Sequence, residues 1–173
     1  MQSRLIEPTV ELEASHETFV NEFRSCGEPF VPWIVGKTYV TFIDYIVMLQ
    51  RARKGVGIPQ GFVAHSTYWL IDDAREIVAV SNLRHELSDR LLKHGGHIGY
   101  GVRPSARRRG YATEVLKQTL IEARRIGIRK ARLTCDKGNS ASAKTILRNG
   151  GELDEEEFMP EHGHVVSRYW ITL

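Results

Sequence analysis

The chain has 173 residues, a formal net charge of +3, and 42% hydrophobic against 26% charged residues. That length buries a core without staples and predicts one domain over residues 1–173, while so small a charge excess does not argue for a nucleic-acid partner. Two cysteines, Cys26 and Cys135, lie far apart without CxxC spacing, so neither a disulfide framework nor a structural zinc site is expected.

The opening MQSRLIEPTVELEAS lacks the continuous apolar stretch of a signal peptide. The densest apolar run nearby, FIDYIVML, carries Asp44 and is too short to span a bilayer. The expected setting is a reduced cytoplasm with no membrane partner. RLIEPTVEL reads as a strand interrupted by Pro8, which suits an edge. Ser15 is placed to cap a helix over His16 to Cys26, where Phe19, Val20 and Phe23 fall at helical spacing and Gly27 stops it. A second helix is expected from Thr41 to Arg53, with Phe42, Tyr45, Ile46 and Leu49 on one face. Lys54 to Phe62 is punctuated by glycine and proline and reads as a loop.

STYWLID and EIVAVSNLRHEL are two apolar runs separated by the polar turn Asp72 to Arg75, the pattern of a hairpin. SDRLLKHGG is a short linking turn or helix, and HIGYGV is a further strand that ends at Pro104. Gly110 to Gly127 is the clearest helix, with a stripe of Ala112, Val115, Leu116, Thr119, Leu120, Ala123 and Ile126. KARLTCD follows as a strand, then NSASAKTILRNGG as a helix stopped by Gly150-Gly151. An acidic segment, Asp154 to Glu157, precedes the closing strand VVSRYWITL. The order β-α-α-β-β-β-α-β-α-β-β makes a mixed α/β (α+β) domain.

The stretch VRPSARRRGYATEVL sets three arginines where a strand hands over to a helix. The first N–H groups of a helix have no intrahelical partner, and the dipole adds partial positive charge at that end. Gly110 leaves the backbone open to close approach, and Ala112 keeps the next turn small. Such a terminus is a phosphate site. Neither GxxxxGK(S/T) nor GxGxxG is present, so this is not one of the common nucleotide loops.

Arg107-x-x-Gly110-x-Ala112, framed by Val102, Pro104 and a long helix, resembles the pyrophosphate signature of the GNAT superfamily of N-acetyltransferases. That signature is Gln or Arg, two residues, Gly, one residue, then Gly or Ala. Asn139-x-x-Ser142 followed by Gly150-Gly151 is similar to the family's later segment. The resemblance runs from about Thr67 to the C-terminus; the earlier chain matches only as a strand and two helices. It implies the GNAT acyl-CoA N-acyltransferase fold: a central, mostly antiparallel sheet flanked by helices, with splayed central strands. It implies that acetyl-CoA is co-substrate and that backbone N–H groups from Arg108 through Arg109, Gly110, Tyr111 and Ala112 to Thr113 cradle its pyrophosphate. The strand ending at Val102 would pair with the pantetheine arm, and Asn139, with Ser142 close by, would contact that region, unless Asn139 is a plain helix cap.

By the same resemblance, acetyl passes to a primary amine by direct attack in a ternary complex, the acceptor being a small molecule or a peptide. An acyl-CoA-binding regulatory module is the alternative, because the position where many members carry a tyrosine general acid is Ile146 here. Tyr100 and Tyr169 have the chemistry to replace it, Ser142 less so. His97 is the candidate base, with His85 and Glu86 as alternatives and a sheet-bonded histidine as the bland reading. Cys135 reads as a packing residue. His94-x-x-His97 and His162-x-His164 lack partner ligands, so no metal is expected. The acidic segment reads as solvated, with attraction of a cationic substrate as the alternative. Phe30, Trp33, Tyr39 and Tyr45 are candidates for an acceptor pocket or for the core. A nucleic-acid partner is disfavoured by the lack of interleaved aromatics around the arginines, and a homodimer is left open.

Overall fold

A computed structural model of the chain describes residues 2–161 and 163–173. Its elements run β1 (Arg4–Ile6), α1 (Glu13–Cys26), α2 (Phe42–Arg53), β2 (His65–Ile71), β3 (Ile77–Arg84), α3 (Asp89–Lys93), β4 (Ile98–Val102), α4 (Tyr111–Arg125), β5 (Lys130–Asp136), α5 (Ser140–Arg148), β6 (Glu152–Met159) and β7 (His164–Thr172). Strands β1-β2-β3-β4 form one antiparallel sheet and β5-β7-β6 a second.

Every residue of β2 is buried because helices cover both faces of the first sheet. Trp69 and Ile71 point toward α1 and α2, where they join Phe19, Phe23, Tyr45 and Leu49. Leu70, on the opposite pleat, packs with Tyr111 and Val115 of α4. This two-sided cover is why STYWLID reads as a continuous apolar run rather than an alternation. In α4 the stripe Val115, Leu116, Thr119, Leu120 and Ala123 is buried as its periodicity requires, whereas Ile126 is exposed at the helix end.

Two local expectations change. α1 starts at Glu13, ahead of His16, because Thr9 caps a short 3-10 turn, Val10–Leu12, that leads straight into it. Ser15 is therefore not a cap: its hydroxyl accepts from Ile77 N at 2.8 Å and donates to Glu76 at 2.8 Å. α2 is closed by a capping box in which the Thr41 hydroxyl accepts from Asp44 N and the Asp44 carboxylate accepts from Thr41 N.

The acidic segment is strand β6, and its side chains are exposed as expected yet paired with arginines of the neighbouring strands. Residues two apart share a face, so Glu155 and Glu157 both reach Arg168 of β7, at 3.1 and 2.7 Å. Asp154 and Glu155 bond Arg132 of β5. The side chains of Arg132 and Arg168 are only 5% and 2% exposed, so carboxylate partners are what make their burial tolerable. The same charges on an outer strand discourage edge-to-edge association.

The two sheets meet between β4 and β5. His97 N donates to Arg132 O at 2.7 Å, and Arg132 N donates to His97 Nδ1 at 2.9 Å. Gly96, at φ +58°, is required here because a Cβ would run into the Arg132 carbonyl. The ladder does not continue past this clamp, and the two sheets remain separate. Four helices, α1 and α2 on one side and α4 and α5 on the other, flank these mostly antiparallel strands.

Three buried histidines govern acid stability. His16, with neither ring nitrogen bonded, lies among Tyr45, Phe42 and Trp69, and burial first, then Arg24, pushes it down to about 4. His65 and His97 are likewise pushed down to about 4, by burial and then Arg84. Below pH 6.5 the unfolded chain protonates these groups while the folded chain does not, so stability falls as pH drops from 6.5 toward 4. Urea denaturation across that window is expected to show proton uptake on unfolding, and His16→Phe should flatten the slope by about one proton. A wild-type stability flat between pH 7 and 4 would contradict this assignment.

Candidate active site

Where β4 ends, the chain makes a 3-10 turn, Pro104–Ala106, and then turns sharply into α4. Arg108 (φ +61°) and Gly110 (φ +86°) both adopt left-handed backbone. A Cβ on Gly110 would meet nothing within 4 Å, so conformation rather than crowding calls for glycine. No side chain caps α4, whereas Thr41, Ser88 and Asn139 cap α2, α3 and α5. The N-cap of the longest helix, Gly110, thus offers no side-chain oxygen to the helix's first turn.

This terminus forms one end of a groove of about 740 Å³. Val102, Arg107, Arg108, Gly110, Tyr111, Ala112 and Thr113 line it, together with Asn139, Ser142 and Tyr100. Arg109, His97 and Tyr169 do not. The remaining walls are Phe23, Glu28, Pro29 and Val31 on one side and Ser140, Ala141, Lys144, Thr145 and Arg148 of α5 on the other. Gly101 is needed because a side chain there would run into the Val31 carbonyl, which lies directly on the strand.

The arginines divide into two kinds. Arg103 is structural: it bonds Glu22 at 2.7 Å and Glu76 at 3.2 Å, while Glu22 also accepts from Ser105 N and Oγ. Arg107 makes a bidentate pair with Glu28 at 2.7 and 2.6 Å and donates to Val102 O at 3.3 Å. Its hydrogen bond holds the Glu28 carboxyl below the usual range. Arg108 is exposed and makes no ion pair among the described residues. Arg109 stacks over the Tyr111 ring at 5.4 Å. Lys144 and Arg148, one turn apart on α5, add positive charge to the groove that sequence reading missed. Their i,i+4 spacing was the available signal, but nothing local said which face of α5 met α4.

At the other end, the Tyr100 hydroxyl lies 3.0 Å from Ser142 Oγ. Burial, only partly opposed by that hydrogen bond, pushes the Tyr100 phenol up to about 12. Cys135 is buried near Ser142 and Tyr169; burial, then Asp136, pushes its thiol up. Tyr169 is buried beside Cys135 and Ser167, with its own phenol raised by burial. Tyr100, Ser142, Cys135 and Tyr169 thus form one polar cluster beneath the groove. Asn139 Oδ1 accepts from Ser142 N at 3.0 Å, so it caps α5 while lining the groove. Ile146, where a tyrosine was sought, is fully buried against the core.

His97 is turned away from the role of base. Its Nδ1 accepts from a backbone N–H in the β4–β5 clamp, it does not line the groove, and burial leaves it a weak base. His85 Nε2 bonds Ser66 Oγ at 2.9 Å. Phe30 and Tyr45 pack in the core, Tyr39 stacks on Tyr45, and Trp33 lines a separate cavity. Among the described residues no group of three or more His, Cys, Asp or Glu is placed to hold a metal; His162 lies outside them. No helix among them is long and apolar enough to cross a membrane.

The profile of the family described as "Acetyltransferase (GNAT) domain" matches residues 13–152. Solved structures share the fold across nearly the whole chain. The ribosomal-protein alpha-N-acetyltransferase RimL, in complex with coenzyme A joined to it by a cysteine disulfide, aligns with a TM-score of 0.71 at 17% identity, covering 100% of this chain and 95% of that one. The microcin self-immunity acetyltransferase MccE, in complex with acetyl-CoA and AMP, aligns at 0.69 and 15% identity, covering 99% and 93%. A dodecameric spermidine N-acetyltransferase from Vibrio cholerae aligns at 0.65 and 12% identity, covering 99% and 94%. A sequence search of curated proteins returns no match.

Burial distinguishes the two cysteines. Cys26 is exposed at the end of α1, whereas the Cys135 thiol is enclosed and held protonated. Iodoacetamide at pH 8 is expected to alkylate Cys26 at least tenfold faster, read by peptide mass spectrometry. Faster reaction at Cys135 would mark it as an activated nucleophile and contradict its packing role.

Proposed function

Because the chain belongs to the GNAT acetyltransferase family, we propose that it moves acetyl from acetyl-CoA to a primary amine by direct attack in a ternary complex, with residues 1–173 acting as one transferase domain. The observation that carries this reading is the uncapped N-terminus of α4 opening into a groove walled by Arg107, Arg108, Lys144 and Arg148. That arrangement suits the phosphates of coenzyme A, and the hydroxyl cluster lies along the same groove, where the thioester would sit. Backbone N–H groups from Arg108 to Thr113 receive the pyrophosphate, and the end of β4 at Gly101 and Val102, which lines the groove, receives the pantetheine arm.

In the reaction the amine nitrogen attacks the thioester carbonyl, a C–N bond forms and the C–S bond breaks. The nitrogen loses a proton and the departing thiolate gains one. Placing the two reactants side by side supplies most of the acceleration, with effective molarities of roughly 10⁵–10⁸ M. Tyr100 serves the leaving group. A phenol pushed up to about 12 keeps its proton beside a thiolate, whose conjugate acid is near ~8.5, so it stabilises the charge as a hydrogen-bond donor rather than by full transfer. Tyr169 and Ser142 position this cluster. No histidine serves as base: the acceptor is deprotonated in solution or through water.

A regulatory acyl-CoA-binding module is the second reading, favoured by the buried Ile146 in the tyrosine position. Calorimetry with acetyl-CoA followed by thiol release over an amine panel separates the two. Binding with release is the expected result; saturable binding with no release over a broad panel would select the module, and no binding would sink both.

Two variants sharpen the assignment. Gly110→Val should weaken acetyl-CoA binding by tenfold or more, since a β-branched residue is strained at φ +86° and crowds the phosphate approach. Tyr100→Phe should lower kcat by roughly 10- to 100-fold with acetyl-CoA affinity retained, as expected for a lost hydrogen bond to a charged group. The kcat/KM of wild type should rise with pH along the titration of the acceptor amine, with no break near pH 6–7. A break there would return a histidine to the mechanism.

A further inference from the structure

A second cavity, of about 430 Å³, lies on the far side of the segment Pro29–Trp33 from the groove. Its lining is cationic: Arg84 and Arg90 face it with His65 and His94, and no carboxylate lines it. Arg84 Nη1 donates to Gly95 O at 2.9 Å and Gly96 O at 3.2 Å, which fixes the guanidinium without neutralising it. Neither arginine makes an ion pair among the described residues. Burial, then Arg90, pulls Arg84 down to about 10, so it is still a cation at neutral pH.

Asn82 supplies an independent observation. It lines the cavity, is fully buried, and has its orientation set by Nδ2, which donates to Thr67 Oγ1 at 3.1 Å and Ser66 O at 3.5 Å and lies 2.8 Å from His65 Nδ1. Its Oδ1 is left without a partner, an acceptor waiting for a donor. Trp33 and Phe62, edge to face at 5.2 Å, supply flat apolar surface.

The cavity also lies within reach of the groove. The Arg84 guanidinium stands beside Gly99, where a Cβ would come 3.6 Å from Nη2, and Gly101 on the groove's rim points to the same side of β4. Two residues of strand separate these points by about 7 Å. The cavity and the groove thus border the same stretch of β4, with Val31 and Pro32 lying between them.

We infer that this cavity holds the acceptor, and that it selects a small amine carrying an anionic group, carboxylate or phosphate, next to a flat apolar part. The inference rests on the transferase reading above. Arg84 and Arg90 take the anion, Asn82 Oδ1 receives an N–H, and Trp33 and Phe62 take the apolar part. A polycation such as spermidine meets like charge here and is rejected.

The test uses matched amines: phenylalanine against 2-phenylethylamine, and phosphoethanolamine against ethanolamine, with spermidine as the polycation. Thiol release from acetyl-CoA gives kcat/KM, and calorimetry without acetyl-CoA gives binding of each amine. The anionic member of at least one pair is expected to be favoured by tenfold or more, and the pair favoured identifies carboxylate or phosphate. Arg84→Gln should erase most of that preference with acetyl-CoA affinity intact. Arg90→Gln, at an exposed residue where folding is not at stake, should reduce it several-fold. Preference for the plain amine or spermidine, an unchanged preference in both variants, or neither transfer nor binding of either anionic amine would overturn the inference. Failure of acetyl-CoA to bind would instead strike the transferase reading, leaving amine binding to judge the cavity by itself.

Discussion

The architecture turns on one clamp, the reciprocal pair of hydrogen bonds between His97 and Arg132 that joins the edges of β4 and β5. Continuing the ladder would have satisfied more backbone groups. Stopping it leaves the end of β4 unpaired beside α5 and opens the space that becomes the groove. The components of the clamp are costly to replace. Gly96 admits the Arg132 carbonyl, the His97 ring is neutral and buried, and the Arg132 side chain is anchored by Asp154 and Glu155 from β6. An acidic strand at the far edge of the second sheet thus helps to hold the junction at its centre.

Charge does structural and ligand-facing work in the same fifteen residues. Arg103 ties the turn before α4 to Glu22 and Glu76, and Arg107 ties it to Glu28, so two cations of the basic stretch fasten α1 and its exit to the end of β4. An exposed pair such as Arg107–Glu28 contributes about 0–1 kcal/mol, so its value is in orientation rather than stability. These ties leave Arg108 and the uncapped turn facing the groove, where Lys144 and Arg148 complete the positive wall.

The segment Pro29–Trp33 separates the two cavities. It can lie on β4 because Gly101 has no side chain where the Val31 carbonyl meets the strand, while Pro32 makes ordinary contact at Gly99. Gly101 of HIGYG therefore serves the approach of one piece of this chain to another. Opposite sides of this one strand thus face the hydroxyl cluster and the cavity with guanidinium groups.

Much of this was written locally. The uncapped terminus at Gly110, the stripe of α4, the hairpin of β2 and β3, and the absence of a proton donor at Ile146 follow from side-chain type and spacing, because helix ends, amphipathic faces and turns are decided within a few residues. Tertiary structure decided the rest. His97 and Tyr100 stand three residues apart, with equal claim to chemistry by composition, yet one ring is turned into the sheet junction and the other toward Ser142. The DEEE run is solvated as it looked, but its pairing was hidden because its counter-charges, Arg132 and Arg168, come from strands many residues away in the chain. Asn82, Arg84 and Trp33 carried no motif at all. Burial and long-range pairing change a titratable group's role far more than its neighbours in sequence do, and those are properties only the folded chain possesses.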